Sequence, residues 1–226
     1  MASPVHALIF DVDGTLAETE EAHRLAFNDA FAHWGLDWNW DEALYRDLLR
    51  TAGGKERIRT FQEDYLKTGR LSEADIRELH AWKTDRYGDI VASGGLSLRP
   101  GVEALMAEGR ALGRKQAIAT TTNLANVEAL CRAVWNCGAT EKFDAIAAGD
   151  EVKAKKPAPD VYILALERLG LRPEACIAFE DSHAGLRSAL AAGLRVYVSP
   201  AIYTSGHDFT GAEAVAGSFM DFVGRL

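Results

Sequence analysis

The chain is poor in the residues that build an extracellular scaffold. It holds three cysteines in 226 residues, and an odd, small number cannot close a disulfide framework. Cys131 and Cys137 lie six apart, Cys176 is remote, and no C-x-x-C spacing offers a zinc site. The plain reading is buried free thiols in a reducing compartment. Six prolines and twenty glycines are scattered, which argues against a collagen-like or disordered chain. Basic residues are outnumbered: 25 Lys and Arg against 33 Asp and Glu give a net charge of −8 and a pI near 5.3. Such a chain is a poor partner for nucleic acid or an anionic membrane surface, although a local basic pocket stays open. No apolar run approaches the roughly 18–20 residues of a membrane span. Met1–Phe10 lacks the basic stretch and cleavage site of a secretory leader. The expectation is a cytoplasmic protein, monomeric or a weak homo-oligomer, with a plastid location open should a transit peptide have been removed.

What is present has the texture of a globular fold: 48% hydrophobic and 26% charged residues, enough for one domain or one domain carrying an insert. Val5–Phe10 is a short apolar run between Pro4 and Asp11 and reads as a buried strand. From about Thr19 to Arg99 apolar residues recur at three- and four-residue spacing, as in Ala22, Leu25, Ala26 and Ala30, then Leu44, Leu48 and Leu49, then Ile76, Leu79 and Trp82. This stretch reads as all-helical. Ser72, followed by Glu73 and Asp75, opens one of its helices, Trp34, Trp38 and Trp40 read as its core, and Gly94-Gly95 reads as the hinge that closes it. Beyond Pro100 the texture alternates. Helical patterns over 101–112, 124–134, 159–169 and 183–192 interleave with apolar runs Gln116–Thr121, Phe143–Ala148, Cys176–Phe179 and Arg195–Ser199. That alternation predicts an α/β fold, a parallel sheet with right-handed crossovers, whose ligands bind outside the carboxyl ends of the strands.

The residues at those ends carry the chemistry. The first strand runs into Asp11-Val12-Asp13-Gly14-Thr15. Carboxylates at i and i+2 on extended backbone point the same way, a costly placement unless a cation is bound or a proton shared. Glycine permits the tight turn. A calcium loop does not fit, because it wants its glycine sixth and here it is fourth. The second strand ends in Thr120-Thr121-Thr122-Asn123, hydroxyls and backbone N–H groups that either cradle an anion or cap the next helix. In the Lys153–Pro159 loop two prolines stiffen the chain, so that one lysine can be aimed. The fourth strand ends in Glu180-Asp181-Ser182, two acids that cannot be buried unpartnered. Oxygen donors without His or Cys suit Mg²⁺.

In this order, Asp11-Val12-Asp13-Gly14-Thr15-Leu16, Thr120, Lys156-Pro157 and Glu180-Asp181-Ser182 resemble the four motifs of the haloacid-dehalogenase (HAD) superfamily over essentially the whole chain. The resemblance implies a Rossmann-like core at 1–18 and 99–226 with an inserted α-helical C1 cap at 19–98. It implies Asp11 as nucleophile, Asp13 as general acid and base, and Thr120 and Lys156 on the phosphoryl oxygens. Mg²⁺ would be held by Asp11, the Asp13 carbonyl, Asp181 and, directly or through water, Glu180. The second acid of the first motif favours phosphoryl chemistry over dehalogenation. More narrowly, Ala17-Glu18-Thr19-Glu20, Thr51–Ile58, Asn126–Leu130 and Ala147–Asp150 are similar to the CbbY-type sugar-bisphosphate phosphatases, which act on xylulose-1,5-bisphosphate. That likeness implies Glu20, Gly53, Gly54, Lys55, Thr121, Thr122 and Asn123 as substrate-binding residues. His23, one turn beyond Glu20, reads equally as packed or functional. The alternatives are a β-phosphoglucomutase-like phosphotransferase, which carries Arg where this chain has Gly-Lys in the cap loop, or a non-catalytic sugar-phosphate-binding module.

Overall fold

The computed structural model describes residues 4–66, 70–94 and 96–225. It separates into two compact units, an α/β unit that runs to Glu18 and resumes at Leu96, and a helical unit, Thr19–Gly95. The helical insert was expected to extend to 98. Leu98 instead bridges Ala17 in an antiparallel pair, and Arg99 N donates to Leu16 O at 2.8 Å, which draws residues 96–98 into the α/β unit. Gly94 has φ +90; Gly95, the other half of the expected hinge, lies outside the described residues, as do Met1–Ser3.

The α/β unit is a six-stranded sheet in the order β3-β2-β1-β4-β5-β6, every pairing parallel. The strands are β1 Ala7–Phe10, β2 Lys115–Ala119, β3 Ala145–Ala147, β4 Cys176–Glu180, β5 Arg195–Val198 and β6 Ala214–Val215. Both faces are buried, so the strands read as unbroken apolar runs. One face is small: Ala7, Ala117, Ala119, Ala145, Ala147 and Ala178 let α8 (Asp160–Leu169) and α9 (His183–Ala191) pack close. The other is bulky: Leu8, Phe10, Ile118, Ile177 and Phe179 meet α5 (Val102–Ala111) and α6 (Leu124–Trp135), and the rings of Phe10 and Phe179 stack at 4.9 Å. This alternation is the two-residue period of a strand. The order puts β1 between β2 and β4, so the chain reverses its direction of travel at the carboxyl end of β1, where open parallel sheets bind ligands.

The helical unit contains α1 Glu20–His33, α2 Glu42–Leu48, α3 Gly54–Tyr65 and α4 Glu73–Ala92. Ser72 caps α4 as expected, accepting from Asp75 N while the Asp75 carboxylate accepts from Ser72 N. Of the three tryptophans expected in the core only Trp40 is fully buried. Trp34 is half-buried because it closes α1 where the chain leaves the helix, and Trp38, also half-buried, lies edge-on to Phe31 and Phe61. The short helix α7 (Ala139–Lys142) and strand β6 were not foreseen. No helix among the described residues is long and apolar enough to cross a membrane.

Candidate active site

Four residues predicted from strand ends meet in the α/β unit. Lys156 Nζ donates to Asp11 Oδ1 and to Glu180 Oε1, both at 2.6 Å. Asp11, Glu180 and Asp181 offer oxygens that all lie within 4.8 Å of one another, and all three residues are buried, as is Lys156. Three carboxylates around one ammonium leave an excess of negative charge that the nearby buried Arg99 guanidinium offsets only in part, an arrangement that is unfavourable away from water without a further cation. Titration behaviour agrees. Burial pushes Asp11 up to about 7 despite Lys156 beside it, with Glu180 and Asp13 adding to the rise. Burial alone would depress Lys156, but the facing Asp11 and Glu180 charges overcome it and push the ammonium above its ordinary value. One lysine shared between two acids stays charged and leaves Asp11 under-compensated. The donor set, clustered hard oxygens with an excess of negative charge, fits a divalent cation such as Mg²⁺.

The backbone keeps this cluster in place. Gly14 has φ +82, and a Cβ there would collide with the Asp181 carboxylate. A Cβ on Gly185, in the first turn of α9, would collide with the Glu180 carboxylate. Glu180 is tightly subscribed. Tyr162 Oη donates to its Oε1 at 2.6 Å, and Oε2 faces Asp181 N at 3.3 Å and Ser182 Oγ at 3.4 Å. Burial and then the Glu180 charge push the Tyr162 phenol well above its ordinary value, so it remains a donor. Asp13 is half-buried, and its side chain lies outside the three-acid cluster. The Lys156–Pro157 bond is cis.

Beyond β2, Thr120 is buried and its Oγ1 accepts from Thr122 N at 3.2 Å, which leaves the hydroxyl proton to donate outward. Thr121, Thr122 and Asn123 are half-buried. Asn123 caps α6 by accepting from Asn126 N at 2.9 Å, and Thr122 Oγ1 accepts from Asn126 Nδ2 at 2.7 Å. The capping use of this stretch is therefore real for Asn123.

The remaining predicted residues belong to the helical unit. Glu20 Oε2 accepts from Tyr45 Oη at 2.9 Å, and Tyr45 Oη accepts from Arg57 Nη1 at 3.1 Å. Gly53, φ +96, precedes α3, and a Cβ on Gly54 would collide with the His80 ring. Lys55 is half-buried in the first turn of α3. His23 is buried, its ring stacks on Tyr87 at 4.0 Å, and its Nδ1 is 2.6 Å from Lys83 Nζ. Sequence reasoning placed Thr15 in the first motif without a role, and it missed Tyr162, whose signal was a phenol on an apolar helix face that needs a partner for its hydroxyl.

Residues 5–193 match the family of haloacid dehalogenase-like hydrolases. The protein CbbY of Rhodobacter capsulatus is 58% identical over 207 residues, 92% of this chain and 90% of that protein. CbbY of Cereibacter sphaeroides is 51% identical over 97% of this chain and 95% of its own length. The crystal structure of CbbY from Rhodobacter sphaeroides in complex with phosphate shares 51% identity at a TM-score of 0.93, covering 96% of each chain. A mutant of that protein in complex with xylulose-(1,5)bisphosphate shares 50% identity at the same TM-score. With its motifs at the predicted strand ends and these relatives along nearly its full length, the chain belongs to the haloacid dehalogenase-like hydrolase family and groups with its CbbY-type members.

Proposed function

We propose that the chain is a Mg²⁺-dependent phosphatase that hydrolyses a sugar bisphosphate, xylulose-1,5-bisphosphate in the first instance, to the sugar monophosphate and inorganic phosphate. The observation that carries the reading is the buried cluster at the ends of β1 and β4, three carboxylates around one lysine with a threonine hydroxyl at the end of β2. Phosphoryl transfer needs little beyond a positioned nucleophile and charge to neutralise the phosphoryl oxygens. The Asp11 carboxylate attacks phosphorus, forming one P–O bond as the bond to the sugar oxygen breaks. Asp13 gives its proton to that departing oxygen. A water then attacks the aspartyl-phosphate, its proton passes to Asp13, and Asp11 is released with phosphate. Lys156 and Thr120 hold phosphoryl oxygens. Asp11, the Asp13 carbonyl and Asp181 would hold Mg²⁺, with Glu180 beside them, and the ion when bound supplies the charge that offsets the excess of carboxylates.

The substrate assignment rests on the CbbY relatives and on the stretches this chain shares with them. Glu20 is assigned to sugar hydroxyls, Gly53 and Gly54 to close approach of the backbone to the ligand, Lys55 to a phosphate or hydroxyl of the ligand, Thr122 and Asn123 to the second phosphate, and Thr121 to the substrate beside them. The test is Mg²⁺-dependent phosphate release from xylulose-1,5-bisphosphate beside ribulose-1,5-bisphosphate in one assay. A large preference in kcat/KM for the xylulose compound supports the assignment. Comparable rates return the sugar to an open question, and conversion of β-glucose 1-phosphate without phosphate release replaces hydrolysis with phosphotransfer.

A further inference from the structure

The loop after β5 contains none of the motif residues, yet it reaches the acid cluster. Thr204 Oγ1 accepts from Ala201 N at 2.8 Å and stands 3.0 Å from Asp181 Oδ2. With one lone pair engaged by Ala201, its single proton goes to Asp181, since the Ala201 carbonyl is farther, at 3.5 Å. Thr15 Oγ1 donates to the other carboxylate oxygen, Oδ1, at 3.3 Å. Asp181 is therefore oriented by two threonines, one from the loop after β1 and one from the loop after β5.

Arg99 ties those loops together. Its guanidinium is buried, and Nη1 donates to Gly14 O at 2.5 Å and Ser199 O at 2.7 Å. Nη2 donates to Ser199 Oγ at 3.1 Å and Pro200 O at 2.8 Å, and Nε lies 3.2 Å from Glu18 Oε1. A planar fork of five donors matches five acceptors, which a lysine's single nitrogen does not. Ala201 and Asp181 also pack on Gly14, where a Cβ would come 3.1 Å from Ala201 Cβ, so a shift of either loop displaces the carboxylate.

We propose that Thr204 and Arg99 are positioning residues for the divalent cation, Thr204 by fixing the orientation of Asp181 and Arg99 by fixing the loop that carries Thr204. The inference rests on the assignment of Asp181 to Mg²⁺ made above. Hydrogen-bond partners of metal ligands are typically worth about 10- to 100-fold in metal affinity. The test is Mg²⁺ titration of the full chain by calorimetry, with Mn²⁺ binding followed by electron paramagnetic resonance, on wild type, Thr204→Val, Thr204→Ser and Arg99→Lys. Thr204→Val is expected to weaken binding of both ions by about tenfold, to raise the Mg²⁺ needed for half-maximal phosphate release by the same factor, and to be rescued by Thr204→Ser. Arg99→Lys is expected to weaken binding likewise; if it does not fold, the Thr204 pair still decides. Unchanged Mg²⁺ affinity in folded Thr204→Val overturns the positioning role and leaves the phosphatase reading standing. Absence of Mg²⁺ and Mn²⁺ binding by the wild-type chain overturns both.

Discussion

The two units bury charge in different ways. In the α/β unit three acids, Asp11, Glu180 and Asp181, gather at the carboxyl ends of β1 and β4 and outnumber the buried cations near them, Lys156 from the loop after β3 and Arg99. In the helical unit the buried charges are cations set against aromatic faces. Lys83 Nζ is 4.7 Å from the Phe27 ring centre and 5.2 Å from that of Tyr87, with His23 as a further partner, and Arg57 lies 5.2 Å from the Tyr45 ring. A buried cation gains from the ring quadrupole and from neutral acceptors, so the helical unit's charges are compensated within the unit. The carboxylate cluster is only partly offset by Lys156 and Arg99, and a cation from outside would complete the balance. The difference teaches where to look for a ligand: at the place where the fold has left charge unbalanced.

The sharpest way to break this comparison is Asp11→Asn. As the proposed nucleophile, its loss is expected to lower phosphate release by about three orders of magnitude or more, and retained activity would remove the covalent route. Stability should move the other way. Burial raises the Asp11 pKa to about 7 in the folded chain, against an ordinary 3.8. Between those values the folded state holds a proton that the unfolded state has released, so Asp11's contribution to stability falls as pH rises from about 4 to about 7. In chelator, the wild-type Tm is expected to decline across that window relative to Asp11→Asn, which has no such group. Added Mg²⁺ at pH 7.5 should close the gap. Parallel Tm curves for the two proteins would show that the cluster does not carry uncompensated charge.

Paired lysine substitutions compare the units directly. Lys156→Met strands Asp11 and Glu180 without their shared ammonium and is expected to cost about 3–5 kcal/mol, the usual penalty for breaking a buried ion pair from one side. Lys83→Met puts an apolar side chain of similar length among Phe27, Tyr87 and His23 and is expected to cost no more than about 2 kcal/mol, chiefly the acceptor left on His23. Urea denaturation of both variants without metal measures the difference. Equal costs would mean that ring faces and carboxylates hold a buried lysine alike.

The same contrast explains what the sequence could reveal. In the α/β unit polar residues interrupt apolar runs only where a strand ends, so Asp11, Thr120 and Glu180-Asp181 stand out against their neighbours and β1 to β5 could be placed to within about two residues, while β6 was not. Tyr162 escaped because a tyrosine on the inner face of α8 looks like core. Thr204 escaped because its surroundings, Ile202 to Asp208, have no periodicity and its role depends on a contact with Asp181, 23 residues away. In the helical unit polar side chains such as His23, Arg57, Gln62 and Lys83 occupy inward positions, which blurs the helical pattern, so the stretch was legible as helical while its break at 34–41 was not, and the break before α3 showed only in the Gly53-Gly54 pair. Trp34 and Trp38, taken as core from composition, fall in or beside the first of these breaks.

Lys55→Ala examines the helical unit's proposed part in selectivity. Loss of a charge-assisted bond to the second phosphate is worth about 1.5–3 kcal/mol, so KM for the bisphosphate should rise roughly tenfold or more, while KM for p-nitrophenyl phosphate, which has a single phosphate, should change little. Equal changes for the two substrates would assign Lys55 to the local structure of α3 instead.

The smallest expected effect is at the cap of α4. Ser72 Oγ accepts the Asp75 N–H at 3.2 Å, and Asp75 Oδ2 accepts from Ser72 N at 3.0 Å and Ser72 Oγ at 2.7 Å. Ser72→Ala removes both hydroxyl contacts and is expected to cost about 1 kcal/mol, read as a small fall in urea midpoint with kcat unchanged. The Ser72 hydroxyl and N–H hold the Asp75 carboxyl below its ordinary 3.8. Its contribution to stability is therefore present above that value and is lost as pH falls through the depressed pKa, whereas the Asp11 contribution is lost as pH rises. A substitution that alters only the acid limb of the wild-type pH–stability curve would place this carboxylate among the locally compensated charges of the helical unit. An effect near pH 7 would show that the cap of α4 is coupled to the charge cluster of the α/β unit, and the contrast between the two units would no longer hold.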